Sequence, residues 1–410
     1  MDFEKEFGWW LQRVKNLAHF FLSLFWVLYN GYPARKLLVV GVTGTDGKTT
    51  TCALIYEMLK AGGIRAGLIT TIGSKYLGNS GKEVAMDTGL HVTTPEARVL
   101  QPILKTMLNE GVTHVVLEAT AHGLDQHRLL GSNIKIGVFT NLSHEHLNDF
   151  VTMERYAKAK LKMFRAAEEL ILNKDDLWYE FFKTQNSSRD AKIISYSKSD
   201  MRDESIPNPL KGEYNKYNIA GACAVATLFK IPDQTIKRAV ENFKGVAGRR
   251  EEVENKLGLK IFVDFAHTPN GIESILKQLR TETSGKLILV FGSTGGRDKD
   301  KRPVMGKIAS KIADIVIITS DDTRHESQDD IAKQIISGIE NHEEKIKNKS
   351  LIVENDRKRA IELAVNIAHT GDTILIAGKG HEKTINLDGV EHPWSDVTVV
   401  RGVLQETKNV

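Results

Sequence analysis

The stretch Gly41-Val-Thr-Gly-Thr-Asp-Gly-Lys-Thr-Thr-Thr51 decides how the chain is read. Leu37 to Val42 reads as a short buried strand, and the Gly44/Gly47 turn swings the backbone into a helix starting near Lys48. That arrangement is a phosphate cradle. Glycines let backbone N–H groups converge on an anion, and the helix N-terminus adds its partial positive charge. Lys48 supplies a mobile cation, and Thr49 offers a hydroxyl to Mg²⁺. The spacing differs from the common P-loop, because Val42 rather than Gly stands five residues before Gly47. The shorter Gly-Thr-Asp-Gly-Lys-Thr form narrows the choice of nucleotide-binding families.

Working outward, strands and helices alternate. Thr49 to Ala61 has helical composition and ends at Gly62-Gly63. Ala66 to Thr71 is a strand, Glu96 to Asn109 a helix, and Val112 to Glu118 and Ile134 to Thr140 are strands. This pattern implies an α/β fold with a mostly parallel sheet, whose ligands bind at the carboxyl ends of strands. Glu118, Thr140 and Asn141 fall at such ends. Met153 to Glu169 reads as a helix carrying Lys158, Lys160 and Lys162. A polar stretch, Gln185 to Asn208, follows with a strand at Lys192 to Tyr196, and a helix opens at Gly212 and runs through Leu228. The pattern restarts near Gly245 to Arg250, where a domain boundary is placed. Beyond it, strands at Lys260–Phe265, Lys286–Phe291, Ile315–Thr319, Ser350–Val353 and Thr373–Ala377 alternate with four helices as a second, smaller α/β domain. The expected division is 1–36, a helical extension; 37–245, a central ATP-binding domain; and 246–410, a C-terminal α/β domain.

The 410 residues, 41% hydrophobic and 26% charged, hold ample core for two or three domains. A net charge of +4, with no Lys/Arg block interleaved with aromatics, predicts no nucleic-acid partner. Cys52 and Cys223 stand apart in helical stretches, which fits a reducing cytoplasm and neither a zinc site nor a disulfide framework.

Residues 1–36 are unusual. From Trp9 to Tyr29, Gln12, Arg13, Lys15, Asn16, His19 and Ser23 fall on one narrow helical stripe, and Trp9, Trp10, Leu17, Phe21, Leu24, Phe25 and Leu28 on the wide remainder. The apolar run from Phe20 to Tyr29 is too short for a bilayer span, which takes about 20 residues. No signal-peptide layout is present. Two readings stand: a helix in a membrane interface, and a helix packed through its apolar face on this chain or on a second copy.

Candidate chemistry clusters at Glu118, His122, His127 and His144-Glu-His146, beside the phosphate loop in sequence. Carboxylate oxygens suit Mg²⁺, and a histidine ligand is a less usual choice.

At this point the chain resembles the Mur ligase family, and within it the UDP-N-acetylmuramoyl-tripeptide synthetases. The motifs, in order, are Gly44-Thr-Asp-Gly-Lys-Thr-Thr50, Thr93-Thr-Pro95, Glu118-Ala-Thr-Ala-His-Gly-Leu-Asp-Gln-His-Arg128, Thr140-Asn-Leu-Ser-His-Glu-His-Leu147, Tyr214-Asn-Lys-Tyr-Asn218 and Gly248-Arg249. Asp264-Phe-Ala-His-Thr-Pro269, Phe291 to Pro303, Asp321-Asp-Thr-Arg324 and Gly378-Lys-Gly-His-Glu382 complete the series. The resemblance runs from about Leu37 to about Leu404 and implies an ATP-driven amide ligase of peptidoglycan precursor synthesis. A substrate carboxylate is phosphorylated, and an amine displaces the phosphate.

By that resemblance Gly44, Thr45, Asp46, Gly47, Lys48, Thr49, Thr50, Asn218, Arg249, Asp264 and His267 hold ATP. Thr49 and Glu118 bind one Mg²⁺ and His146 a second, with Lys160 at the position the family carbamylates with CO2. The implied catalytic set is Lys48, Glu118, His146 and Lys160. Thr93, Thr94, Thr120, Gln126 and Arg128 match positions that hold the muramoyl peptide. Arg297, Asp322, Arg324, Gly378 and Glu382 match those for the incoming diamino acid. Arg324 can hold the distal carboxylate of diaminopimelate, a group lysine lacks.

There are departures. The family usually has Ser-Ser where Thr120 and Ala121 stand, and Asn where Asp46 stands. Diaminopimelate-adding members read Asp-Asn-Pro-Arg, so Asp322 and Thr323 are expected to remove an amide donor and loosen the turn. Only about 36 residues precede the first strand, too few for the family's uridine-binding domain, so a UDP-linked or a lipid-linked muramoyl dipeptide is the expected acceptor. The rival readings are a folylpolyglutamate-synthase-like ligase and a non-catalytic, membrane-associated ligase homologue.

Overall fold

The computed structural model describes residues 3–86, 93–187, 190–201 and 209–406, with side chains from Glu6 on. Parts of the polar stretch 185–208 therefore lie outside the described residues. The chain forms two compact units, one up to Lys244 and one from Gly245.

The first unit runs α1 (Phe3–Tyr29), β1 (Leu38–Thr43), α2 (Lys48–Ala61), β2 (Ala66–Thr70), β3 (Gly73–Leu77), β4 (Glu83–Met86), α3 (Ala97–Asn109), β5 (His114–Glu118), α4 (Ala121–Asp125), β6 (Ile134–Phe139), α5 (Leu147–Phe150), α6 (Met153–Phe164), β7 (Glu169–Asn173), α7 (Tyr179–Asn186), β8 (Lys192–Tyr196), α8 (Glu213–Leu228) and α9 (Asp233–Glu241). Its strands form one sheet in the order β4-β3-β2-β5-β1-β6-β7-β8. The six strands from β2 to β8 in that order pair parallel, and β3 and β4 add an antiparallel edge hairpin. Strands covered on both faces read as continuous apolar runs, as β1 and β5 do.

The second unit holds β9 (Glu251–Glu252), β10 (Lys260–Asp264), α10 (Pro269–Glu282), β11 (Leu287–Phe291), α11 (Lys301–Ile312), β12 (Ile315–Ile318), α12 (Gln328–Ile336), α13 (His342–Lys347), β13 (Leu351–Val353), α14 (Arg357–Ile367), β14 (Thr373–Ala377), β15 (Thr384–Leu387), β16 (Val390–Pro393) and α15 (Asp396–Glu406). Its main sheet has the order β13-β12-β11-β14-β10-β9, parallel except for β9.

Three sequence expectations change. The helix expected over Met153 to Glu169 stops at Phe164, because Leu170, Ile171 and Leu172 bury fully as a strand parallel to β6. Burial in a sheet outweighs local helix propensity here. The β3–β4 hairpin and α9 were not foreseen. The third change is α1, which packs on the first unit through its polar stripe, with the wide apolar face outward. Asn16 and Ser23 are buried. Arg13 and Asn16 (2.9 Å) both donate to Asp125 Oδ2, and Lys162 donates to Asp125 Oδ1 at 2.8 Å. Arg155 stacks on Trp9, 4.2 Å from the ring centroid, and pairs with Glu6 at 2.9 Å.

Burial pushes the buried Asp125 carboxyl up, but Lys162 and Arg13 outweigh it and hold the group below its usual range. A lowered folded-state value means that this stabilisation is present above the ordinary aspartate range and is lost as pH falls through the lowered value. Asp125→Ala should cost about 1–3 kcal/mol in urea unfolding at neutral pH, with α1 the first segment released in limited proteolysis. The difference from the parent chain should shrink below about pH 4.

Candidate functional site

Parallel register brings three chain segments to one sheet edge. Val42 pairs with Glu118, and Thr43 pairs with Phe139, so the turn after β1 lies between the ends of β5 and β6. Thr140 Oγ1 and Asn141 Nδ2 donate to the Asp46 carbonyl at 2.8 and 3.1 Å, and Asp46 N donates to Asn141 Oδ1 at 2.9 Å. Two glycines are dictated by this closeness. A Cβ on Gly44 would meet Thr140 Oγ1 at 1.8 Å, and one on Gly47, whose φ is 79°, would meet Asn218 Oδ1 at 2.2 Å. Gly47 caps α2 without a side chain, and no acidic residue occupies the first turn, so the helix start suits a phosphate. Lys48 Nζ donates to Thr45 O at 2.7 Å, folded back over the turn.

Glu118 is buried at the end of β5. Its Oε2 accepts from Thr49 Oγ1 at 3.0 Å and from both the N–H and Oγ1 of Thr71 at 3.1 Å. All three donors are neutral. A carboxylate beside a threonine hydroxyl, next to a phosphate turn, is an oxygen donor set that fits Mg²⁺. Thr71 was not foreseen. It follows β2, and only the sheet order, with β2 next to β5, reveals it.

Lys160 is the least ordinary group in the unit. The residue is 1% exposed, and its amine donates to Gly44 O at 2.6 Å and lies 4.4 Å over the Tyr156 ring. Its sequence neighbour Lys158 is 60% exposed, and Lys162 serves Asp125. Burial, with the positive charge of Lys48 second, drives the Lys160 amine well below the ordinary lysine range. A neutral amine is a nucleophile, which is the form that CO2 requires.

His146 sits at φ 59° at the start of α5, its ring 4.6 Å from that of His122. His122 Nε2 contacts Asp149 Oδ2 at 2.9 Å, and single ligand atoms of His122, His146 and Asp149 lie within 4.8 Å of one another. Asp149 carried no sequence signal. Asn218 receives Thr51 Oγ1 at 3.3 Å and donates to Asn215 at 2.9 Å, which places it beside α2. Thr94 and Thr120 exchange a hydroxyl bond at 2.9 Å. Arg128 spans Gln126 Oε1, at 2.9 and 2.6 Å, and Thr94 O at 3.2 Å, while Thr93 is half-buried just before Thr94. Thr45, Thr49 and Thr50 are buried.

In the second unit Asp264 ends β10 and accepts from Arg250 N and Ala266 N at 2.6 and 2.7 Å. Arg249 stacks on Phe265 at 4.5 Å, and His267 bonds the Phe265 carbonyl at 2.8 Å. The turn Asp321–Arg324 is tied down rather than loosened. Asp322 O accepts from Gly295 N at 2.7 Å, Asp322 Oδ1 accepts from Lys379 Nζ and Asn386 N at 2.6 and 2.9 Å, and Thr323 Oγ1 accepts from Asp388 N at 3.2 Å. The carboxylate at Asp322 gains an ion pair with buried Lys379, which compensates for the amide and the proline. Lys379 also pairs with Glu382 at 2.5 Å. Arg324 sits at φ 54° beside Gly296, next to Arg297 in sequence, and Gly378 takes φ 113° where a Cβ would meet Asp321. Lys379 is the residue that the sequence had not singled out here.

Residues 42–226 match the Mur ligase middle domain, and residues 248–380 match the Mur ligase glutamate ligase domain. This chain belongs to the Mur ligase family. A UDP-N-acetylmuramoyl-L-alanyl-D-glutamate–2,6-diaminopimelate ligase of Clostridium botulinum is 37% identical, covering 88% of this chain and 78% of that protein. The Aquifex aeolicus protein of the same name is 36% identical over 91% and 79%. A UDP-N-acetylmuramyl-tripeptide synthetase of Roseiflexus is 33% identical over 92% and 80%. A solved 2,6-diaminopimelate ligase matches at 30% identity with a TM-score of 0.58, covering 91% of this chain and 79% of that one. Folylpolyglutamate synthase of Mycobacterium tuberculosis, solved with ADP, matches at a TM-score of 0.70, 90% of this chain and 92% of that one, but at 15% identity it shares the fold alone. This Mur ligase is thus an ATP-dependent ligase.

Lys160 tests the site's electrostatics. A lowered folded-state value means that burying this lysine costs stability below the ordinary lysine range, and the cost shrinks as pH rises toward that range. Lys160→Met should therefore raise Tm at neutral pH, the gain narrowing toward about pH 10. Gly44→Ala should weaken ATP binding at least roughly tenfold in calorimetry, because the turn must move off Thr140.

Proposed function

We propose that this Mur ligase joins the amine of 2,6-diaminopimelate to the D-glutamyl carboxylate of UDP-N-acetylmuramoyl-L-alanyl-D-glutamate, converting ATP to ADP and phosphate. The observation that carries this reading is Arg324, held on a pinned turn beside the Lys379–Glu382 pair, in a chain 37% and 36% identical to two 2,6-diaminopimelate ligases.

A carboxylate oxygen of the dipeptide attacks the γ-phosphorus of ATP, the bond to ADP breaks, and an acyl phosphate forms. The amine then adds to that carbonyl carbon, phosphate leaves with its bonding oxygen, and the amine gives up a proton. Phosphoryl transfer of this kind rests on positioning and charge neutralisation. The residues from Gly44 to Thr50 cradle the phosphates, with Lys48 as counter-charge, and Asn218 takes the adenine side. Arg249, Asp264 and His267 complete the nucleotide set. Thr49 and Glu118 would hold one Mg²⁺ and His146 a second, with Lys160 as its carbamate a further oxygen donor, and the bound ions would neutralise phosphate charge. For the carbamate, the neutral Lys160 nitrogen bonds the carbon of CO2 and loses a proton, giving an anion in place of an amine. Thr93, Thr94, Thr120, Gln126 and Arg128 hold the muramoyl peptide.

Arg324, with Arg297, takes the distal carboxylate of the amino acid, and Glu382, Asp322 and the Gly378 backbone take its distal ammonium. Burial raises the Glu382 carboxyl to about 7, opposed by Lys379. Below that value Glu382 is neutral and holds an ammonium poorly.

Phosphate release should require the dipeptide and diaminopimelate together. Equal turnover with lysine, or glutamate addition to a folate, would overturn the reading. Arg324→Ala should raise KM for diaminopimelate at least roughly tenfold with KM for ATP unchanged. KM for diaminopimelate should fall as pH rises through about 7, a trend that Glu382→Gln flattens. Lys160→Met should lower kcat by roughly two orders of magnitude or more.

A further inference from the structure

Helices that dock on a protein normally turn their apolar face inward, and α1 does the reverse. Its polar stripe is consumed by the first unit: Asn16, Ser23 and the following Asn30 are buried, and Asp125 gathers Arg13 and Asn16. The helix is not loosely attached, because Val27 is buried and Phe20 packs edge-on to His127 at 5.4 Å. The outward face carries Trp10, Val14, Leu17, Phe21, Phe25 and Leu28, each 55–72% exposed. With about 100° of rotation per residue, the exposed apolar side chains of α1 sweep an arc of roughly 140°. A seam between two helices needs only the narrower stripe of two positions per heptad. An arc this wide, rich in Phe, Trp and Tyr, suits a continuous apolar medium with a polar boundary.

Charge points the same way. No acidic residue occurs between Trp9 and Lys36, whereas Arg13, Lys15, Arg35 and Lys36 do. Lys15, Arg35 and Lys36 are exposed, as are Arg98 and Lys105 on α3, against which α1 packs. Among the described residues no helix is long and apolar enough to cross a membrane.

We propose that α1 is an in-plane membrane anchor. Its outward arc enters the boundary between headgroups and acyl chains of an anionic bilayer, and its inward polar stripe fastens the catalytic unit to that surface. The inference does not depend on which amino acid is ligated.

The test is flotation of the full chain with vesicles of phosphatidylcholine alone or mixed with phosphatidylglycerol. The parent chain should float with the anionic vesicles, and its Trp emission should shift to the blue. Leu17→Glu/Phe21→Glu/Phe25→Glu, at positions that touch solvent, should reduce the bound fraction at least roughly tenfold, while leaving phosphate release in vesicle-free buffer unchanged. Lys15→Glu should weaken binding to anionic vesicles and make it less salt-sensitive. Failure of the parent chain to float, or flotation undiminished in the triple variant, would overturn the proposal. So would a lipid-free dimer in sedimentation velocity that the triple variant dissolves, since the face would then belong to a second copy. Each readout is separate from ligation, so loss of the anchor and loss of the proposed reaction are told apart.

Discussion

Everything at the candidate site depends on the parallel pairing of β1 with β5 on one side and β6 on the other. Parallel strands end at the same edge, so residues 70 to 100 positions apart meet without any local sequence bias toward each other. The phosphate turn can be tight because Thr140 and Asn141, carried there by β6, supply its hydrogen bonds. Glu118, carried by β5, can remain buried because Thr49, at the start of α2 after β1, and Thr71, just after β2, donate to it. A one-residue slip of β5 would turn Glu118 to the other face and leave the turn without its carboxylate.

The site is also a place where the fold accepts cost. A buried lysine amine beside a second lysine is unfavourable in its charged form, so burial and Lys48 drive this one well below the ordinary lysine range while it hydrogen-bonds Gly44. The second unit handles its buried charge differently. Lys379 is surrounded by Asp321, Asp322 and Glu382 and is held charged, while Arg357 forms a two-point pair with Asp396 at 2.8 Å. Stability would be served as well by apolar groups at several of these positions, so the ionic networks are best understood as fixing the Asp321–Arg324 turn in one geometry.

Much of this was legible in the residues. The Gly-Thr-Asp-Gly-Lys-Thr turn, the strand-ending Glu118 and the alternation of apolar runs with helical stretches specify local structure through short-range rules, which a sequence displays directly. Where two rules compete, it does not. Glu169, read from local propensity as the end of a helix, instead opens a strand that pairs parallel with β6. Lys158, Lys160 and Lys162 look alike in sequence, and helix α6 buries one, exposes one and pairs one. Thr71 and Asp149 had no signal, since what matters about them is a neighbour far along the chain.

By itself, then, the sequence determined the phosphate turn, the two α/β units and the family, because backbone conformation and apolar periodicity are set within a few residues. Tertiary structure alone decided that Lys160 is buried and its amine driven below the ordinary lysine range, that Asp322 is an ion-pair partner, and that α1 buries its polar stripe and shows its apolar face to the outside. Burial and charge balance are properties of surroundings, and surroundings exist only once distant segments have packed.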